Sequence, residues 1–181
     1  MSKEKKTIAL VGCGRISKRH IEAIESNQGL KIEYLCDSNE EKAKEKSELL
    51  RVPYCTDYWK LPKVDVVAVL TPSGMHPRHA AEIAENTDIP YILVEKPVSL
   101  TLREAYELFD RIDKAGKNLL PVYQNRYNPL VHFIKDLISS GQLGNIHQFV
   151  CNVFWNRNDE YFEIDWHGTR ENDGGVLYTQ A

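Results

Sequence analysis

Gly12-Cys13-Gly14-Arg15-Ile16-Ser17 is a glycine-rich turn set between a short branched apolar run, Thr7 to Val11, and a segment whose Ile16, His20, Ile21 and Ile24 recur at helical spacing. A turn of this kind after a strand and before a helix binds the pyrophosphate of a dinucleotide. Gly12 permits the tight turn, and Gly14 has no Cβ to hold an anion away from the backbone. The helix opening near Arg15 directs unpaired amides and the positive end of its dipole at that anion. Ser17 stands where a third glycine is usual, and its side chain is still small enough for close packing of helix on strand. Asp37 ends the next apolar run about 20 residues beyond Ser17, where an acid accepts hydrogen bonds from the adenosine ribose hydroxyls. Its charge would repel a 2′-phosphate, and Ser38, Asn39, Glu40 and Glu41 bring no arginine to compensate, so the residues favour NAD over NADP. The same loop and acid would also suit a methyltransferase that binds S-adenosylmethionine, so they do not settle the function alone.

The elements that must carry these groups alternate. Lys31 to Cys36 reads as a second strand, followed by capping residues Asp37 to Asn39 and a charged helix from Glu40 to Leu50. Val64 to Leu70 is almost continuously apolar, as in a parallel strand covered on both faces. After the break at Thr71-Pro72-Ser73-Gly74, His76 to Glu85 reads as an alanine-rich helix and Tyr91 to Val94 as another buried strand. Thr101 with Glu104 has capping-box spacing. Leu102, Ala105, Leu108, Phe109 and Ile112 form one apolar stripe that Gly116 can end. Strands and helices in such close alternation predict a doubly wound α/β fold, a Rossmann parallel sheet over residues 1–122 with ligand at the carboxyl ends of its strands. Beyond Leu119 to Val122 the character changes. A polar turn at 124–129 leads into a helix with Leu130, Phe133, Ile134, Leu137 and Ile138 inward, closed by Gly141 and Gly144. Ile146 to Trp155 then reads as a long strand. Residues 123–181 are expected to open a second, mixed α+β domain that is incomplete within this sequence.

Composition narrows the partners. A formal net charge of -3 supplies no cationic field for phosphate backbones or anionic lipid, so nucleic acid and membrane are not expected partners. The apolar stretch after Lys3, Lys5 and Lys6 is too short for a signal peptide and no run reaches membrane-span length, which places the protein in the cytoplasm. The 4 cysteines, Cys13, Cys36, Cys55 and Cys151, lack the spacing of metal or redox motifs and are expected to be reduced apolar fillers. Asp165 and His167 are two metal-type ligands without a third, so no metal is expected. Arg126 and Arg157 could grip a carboxylate or diphosphate, since guanidinium binds planar anions in a bidentate way.

Thr71-Pro72-Ser73-Gly74-Met75-His76 and Glu95-Lys96-Pro97 both directly follow strands at the ligand edge. Together with Gly12-Cys13-Gly14-Arg15-Ile16 and Tyr123-Gln124-Asn125-Arg126-Tyr127, they resemble the Gfo/Idh/MocA family of oxidoreductases over essentially the whole sequence, Glu-Lys-Pro being the most specific part. The resemblance implies NAD as cofactor and a catalytic Lys96 reaching between nicotinamide and substrate, where its ammonium can bond the hydroxyl being oxidised. It implies that Cys13, Thr71, Pro72, Ser73, His76, Glu95, Pro97 and Gln124 line the cofactor beside the glycine loop, with a cis peptide often preceding Pro97. His76 is read equally as a cap and packing residue. Asp165-Trp166-His167-Gly168-Thr169 followed by Asp173-Gly174-Gly175-Val176-Leu177 resembles the family branch that oxidises the 3-hydroxyl of UDP-N-acetylglucosaminuronic acid on a surface-polysaccharide route. Arg126, Tyr127, Arg157, Trp166 and His167 are then expected to meet a sugar or sugar-nucleotide substrate. Arg170 stands where that branch more often has an apolar residue. A histidine that follows the Gly-Gly-x-Leu segment in the family falls beyond Ala181, so the chain alone is expected to bind NAD weakly and to lack activity, and the full-length form to be a homo-oligomer. The alternative reading is a truncated, non-catalytic NAD-binding module or redox sensor.

Overall fold

The computed structural model describes residues 4–164 and 166–175. Asp165, Val176 and Leu177, which belong to the motifs just named, lie outside the described residues. The sheet has six parallel strands: β1 (Lys6–Val11), β2 (Leu30–Cys36), β3 (Tyr54–Cys55), β4 (Val66–Val69), β5 (Tyr91–Val94) and β6 (Asn118–Pro121), in the spatial order β3-β2-β1-β4-β5-β6. That order reverses direction between β1 and β4, which opens a crevice at their carboxyl ends. The helices between the strands are α1 (Ser17–Glu25), α2 (Glu40–Leu50), α3 (His76–Asn86) and α4 (Leu102–Lys114).

The period-2 alternation of β1 divides the core in two. Ile8 and Leu10 pack with Ile21 and Ile24 of α1, Leu35 and Ala68 on one face. Ala9 and Val11 pack on the other with Val67, Val69, Ile92 and the α3 and α4 residues Ala80, Ile83, Leu108 and Ile112. Two buried layers around one sheet fix the strand ends, and thereby the loops, with little freedom. The α1 helix lies close to β1 because Ser17 is fully buried, its hydroxyl donating to the Gly14 carbonyl at 2.7 Å. Half of the expected capping box on α4 is present: the Glu104 amide donates to Thr101 Oγ1 at 3.2 Å, while the Glu104 carboxylate accepts from the Thr101 hydroxyl at 2.9 Å rather than from the Thr101 amide. Gly116 follows with φ +65°.

Three expectations need correction. The apolar stripe of α4 is narrower than expected, since Leu108 and Ile112 are buried while Leu102 is 78% and Phe109 50% exposed on its shoulder. No residue of α5 (Pro129–Ser139) is buried; Leu130, Phe133 and Ile138 are exposed and Ile134 and Leu137 only half-buried, so the face its periodicity defines is incompletely covered among the described residues. Residues 146–155 form no strand. A strand exists only through the backbone it pairs with, and no described strand lies beside this segment. A short helix, α6 (Asp159–Phe162), follows it. Cys13 and Cys36 are buried fillers as expected, but Cys151 is exposed. No helix is long and apolar enough to cross a membrane among the described residues.

At the opposite end of the sheet from the crevice, Asp65 joins β4 to the start of β1. Its carboxylate accepts from Lys6 Nζ at 2.7 Å and from the Thr7 amide and hydroxyl at 2.9 and 3.0 Å. The Lys6 bond first, and then the two Thr7 bonds, hold its pKa down to about 2 from 3.8. A depressed folded-state pKa means that this stabilisation is complete above about pH 4 and is lost as pH falls towards 2. Asp65→Asn should therefore lower the melting temperature near neutral pH and narrow the gap to wild type between pH 4 and 2. A gap independent of pH would contradict this.

Candidate active site

The carboxyl ends of β1, β2, β4 and β5 converge on one cleft of about 720 Å³. Its floor is the glycine loop. Gly12 has φ +107° and lies so close to the end of β4 that an added Cβ would fall 2.6 Å from the Leu70 carbonyl oxygen. Gly14 is different in kind: a Cβ there would meet nothing within 4 Å, and the open side faces the cleft. Asp37, at the end of β2, ties the loop in place. One carboxylate oxygen accepts from the Cys13 amide at 2.6 Å and the other from the Asn39 amide at 2.8 Å. Each oxygen keeps a lone pair for a further donor. Asp37 is thus both a turn residue and an available acceptor in the cleft. The Cys13 side chain is buried in the core instead, where burial first and the Asp37 charge second push its thiol up to about 12. Its part in the loop is its backbone amide.

The opposite wall carries Lys96. Glu95 is buried at the end of β5, its amide donating to the Val69 carbonyl at 3.1 Å, and one of its carboxylate oxygens accepts from the Lys96 amide at 3.0 Å. The Lys96-Pro97 peptide is cis. His76 is only 1% exposed and spans two loops: Nδ1 lies 2.7 Å from the Pro97 carbonyl oxygen and Nε2 2.7 Å from that of Thr71. Burial pushes its pKa down, against the pull of those two acceptors. His76 is therefore chiefly a brace between the Thr71 loop and the Glu-Lys-Pro step. Burial also lowers the pKa of Lys96, the Arg157 and Arg15 guanidiniums push the same way, and the Glu95 and Asp173 carboxylates oppose them. A lysine so placed exchanges its proton closer to neutral pH than an exposed one.

The segment 166–175 packs against the cleft. The Gly74 amide donates to the Asn172 carbonyl at 3.1 Å, and a Cβ on Gly74 would collide with the Glu171 carbonyl oxygen. Asp173 is buried and accepts from the Gly168 amide at 2.9 Å. His167 is held by its Nδ1, 2.6 Å from the Tyr161 carbonyl oxygen, and stacks on the Tyr161 ring at 4.2 Å, with Trp166 edge-on at the same distance. The guanidiniums of Arg15 and Arg157 lie 5.0 and 5.1 Å from the Tyr161 ring centre.

Of the residues singled out in the sequence, the cleft gathers Gly12, Gly14, Arg15, Ile16, Asp37, Thr71, Pro72, Ser73, His76, Glu95, Lys96, Trp166 and His167. Cys13, Pro97, Gln124, Arg126, Tyr127 and Arg157 do not line it. Arg126 lies against the Tyr123 ring at 5.7 Å, Tyr127 is largely exposed, and Arg157 reaches the edge of the cleft through Tyr161. Tyr161, and Thr56 to Tyr58 with His79, line the cleft without having been picked out, because only the folded chain brings them there, and Asp173, named in the sequence only as part of a motif, lines it too. Asp173 did carry a signal, an acid immediately before two glycines. His20, read as one of the helical repeat positions, proves to bond Glu95 at 2.7 Å. Among the described residues no group of three or more His, Cys, Asp or Glu side chains could hold a metal.

The cleft fits a dinucleotide on its own evidence. Gly14 leaves open the space beside the first turn of α1, whose amides can meet a pyrophosphate, and Asp37 stands at the ribose position. The profile of the GFO_IDH_MocA family, an oxidoreductase family with an NAD-binding Rossmann fold, matches residues 6–123. The uncharacterized oxidoreductase YrbE of Bacillus subtilis is 30% identical over 142 residues, 76% of this chain and 41% of that protein. The WlbA dehydrogenase of Bordetella pertussis, solved in complex with NADH and UDP-GlcNAcA, superposes with a TM-score of 0.91 at 34% identity, covering 98% of this chain and 55% of that one. WlbA of Chromobacterium violaceum, solved with the same two molecules, gives 0.92 at 33% identity, with 100% and 53% covered. The chain thus spans about half the length of these relatives. The chain belongs to the Gfo/Idh/MocA oxidoreductase family, and residues 6–123 are its NAD-binding Rossmann fold.

Proposed function

We propose that this chain is the NAD-binding half and, over residues 123–181, the opening of the substrate domain of a dehydrogenase that oxidises the 3-hydroxyl of UDP-N-acetylglucosaminuronic acid. The observation that carries this reading is Lys96, a lysine of lowered pKa at the ligand edge of the sheet, facing the glycine loop on one side and Asp173 on the other. Bound NAD supplies a nicotinamide ring that accepts hydride from the carbinol carbon. Lys96 Nζ, acting from its neutral amine form, takes up the hydroxyl proton as hydride leaves, and the ammonium so formed bonds the oxygen and stabilises the charge that develops there. Tyr161, Trp166 and His167 form an aromatic wall on which a sugar ring can lie, and the Arg15 and Arg157 guanidiniums beside it suit an anionic substituent such as a uronate carboxylate or a diphosphate. The likeness to two WlbA structures that hold NADH and UDP-GlcNAcA supports the same substrate. Incubating the full-length protein with NAD and either UDP-N-acetylglucosaminuronic acid or UDP-N-acetylglucosamine should produce NADH only with the former. Equal rates with both would contradict the assignment of the carboxylate.

Asp37 should select NAD over NADP. Because Asp37 also ties down the loop, the informative change is Asp37→Asn, which removes the charge and retains an acceptor. Titration calorimetry should find that wild type favours NAD by roughly tenfold or more, about the worth of one charge-assisted hydrogen bond, and that the variant loses most of this preference. A wild-type preference for NADP would refute it.

A further inference from the structure

We propose that His20 is a positioning residue for Lys96, acting through Glu95 to link the helix that receives the cofactor to the lysine that serves the substrate; this rests on the dehydrogenase reading above. His20 projects from α1, whose first turn faces the pyrophosphate position. Its Nε2 lies 2.7 Å from Glu95 Oε1, and the two side chains are only 15% and 9% exposed. Glu95 Oε2 accepts from the Lys96 amide at 3.0 Å. An ionised carboxylate only accepts, so Nε2 carries the proton of this bond. One carboxylate thus receives the helix on one oxygen and the backbone of Lys96 on the other. His76 secures the far side of the same step through the Pro97 carbonyl.

A buried carboxylate needs its donors, because desolvation without them costs several kcal/mol. A carboxylate bonded to the lysine amide alone would turn its freed oxygen towards the nearest cation, and the Glu95 charge already acts on the Lys96 ammonium. Removing His20 therefore has two consequences. The Lys96 ammonium is drawn towards Glu95 and away from the cleft, and its proton is held more tightly. Misplacing a group beside a reacting atom costs far more in turnover than in binding.

The test compares His20→Ala and His20→Gln, the latter offering an amide N–H towards Glu95, each with and without Lys96→Met, in the full-length protein. His20→Ala should lower kcat tenfold or more with the NAD affinity and the KM for substrate within about threefold, and His20→Gln should restore most of the loss. In the Lys96→Met background His20→Ala should cost little further, because the group it positions is gone. Titration of the Lys96 signal by carbon-13 lysine NMR, identified by its disappearance in Lys96→Met, should move to higher pH in His20→Ala and return in His20→Gln. An unmoved Lys96 titration would overturn the proposal, as would an equal loss of turnover in the Lys96→Met background, which marks a merely structural pair. Should wild type show no NAD-dependent turnover, the dehydrogenase reading fails, and the NMR titration still decides whether His20 governs Lys96.

Discussion

Lys96→Met is expected to lower turnover of the full-length protein about 100-fold or more while leaving NAD affinity within about threefold. Methionine keeps the length and apolar stem of lysine and removes the ammonium, so the half-buried stem still packs against the cleft wall. The loss falls on a group that bonds the substrate oxygen as its charge develops. Binding of the cofactor depends on the glycine loop, α1 and Asp37, none of which uses the Lys96 side chain for its position. Steady-state kinetics beside a calorimetric titration separate the two. Turnover within a few-fold of wild type would reduce Lys96 to a surface or positioning charge. A parallel loss of NAD affinity would show that the ammonium holds the cofactor instead.

Gly12→Ala and Gly14→Ala should have opposite signatures although the two residues share one loop. At Gly12 an alanine would have to adopt φ +107° and place its Cβ 2.6 Å from the Leu70 carbonyl oxygen, and the loop cannot move away while the Gly12 amide is bonded to the Cys36 carbonyl at 2.8 Å. Backbone strain and overpacking together should cost about 2–5 kcal/mol. For a domain of this size that lowers the melting temperature by roughly 5–15 °C. At Gly14 the methyl group meets nothing within 4 Å, so stability should stay within about 0.5 kcal/mol of wild type. It would occupy the space in which a pyrophosphate approaches the α1 amides, and NAD affinity should fall tenfold or more. Thermal melts and calorimetry on both variants check this. Gly14→Ala that binds NAD like wild type would show that the phosphates lie elsewhere.

The order of elements through Pro121 was legible apart from the two-residue edge strand β3, which has no apolar run to announce it; the other strands are short, apolar and soon followed by a turn residue or cap, and parallel strands then force their carboxyl ends to one edge. That is why Gly14, Asp37 and Lys96, far apart in the chain, could be assigned to a common edge before any coordinates. What periodicity could not supply was how much of each apolar face finds a partner. The shoulder of α4 at Leu102 and Phe109, the apolar face of α5 and the alternating run at 146–155 all have burial-grade patterns and lie exposed. Pattern reports capacity to pack, whereas burial needs a second surface. The cleft was partly illegible for a related reason. Local motifs identify residues that act beside their sequence neighbours, but the His20 to Glu95 bond joins positions 75 residues apart, and the approach of Asp173 to Lys96 depends on a segment folding back over Gly74. Arg126 and Tyr127 show the converse, since guanidinium chemistry and the family resemblance suggested substrate contact and the two residues do not line the cleft.

Under the proposed function, hydride leaves C3 of the uronic acid for the nicotinamide in the cleft that Lys96 faces. The direct test is to supply the full-length protein with NAD and UDP-N-acetylglucosaminuronic acid deuterated at C3, and to weigh the reduced cofactor by mass spectrometry. The reduced cofactor should carry the deuterium and form more slowly than from unlabelled sugar wherever hydride transfer limits the rate. NADH without deuterium, or deuterium retained at C3 while NADH forms, would contradict it.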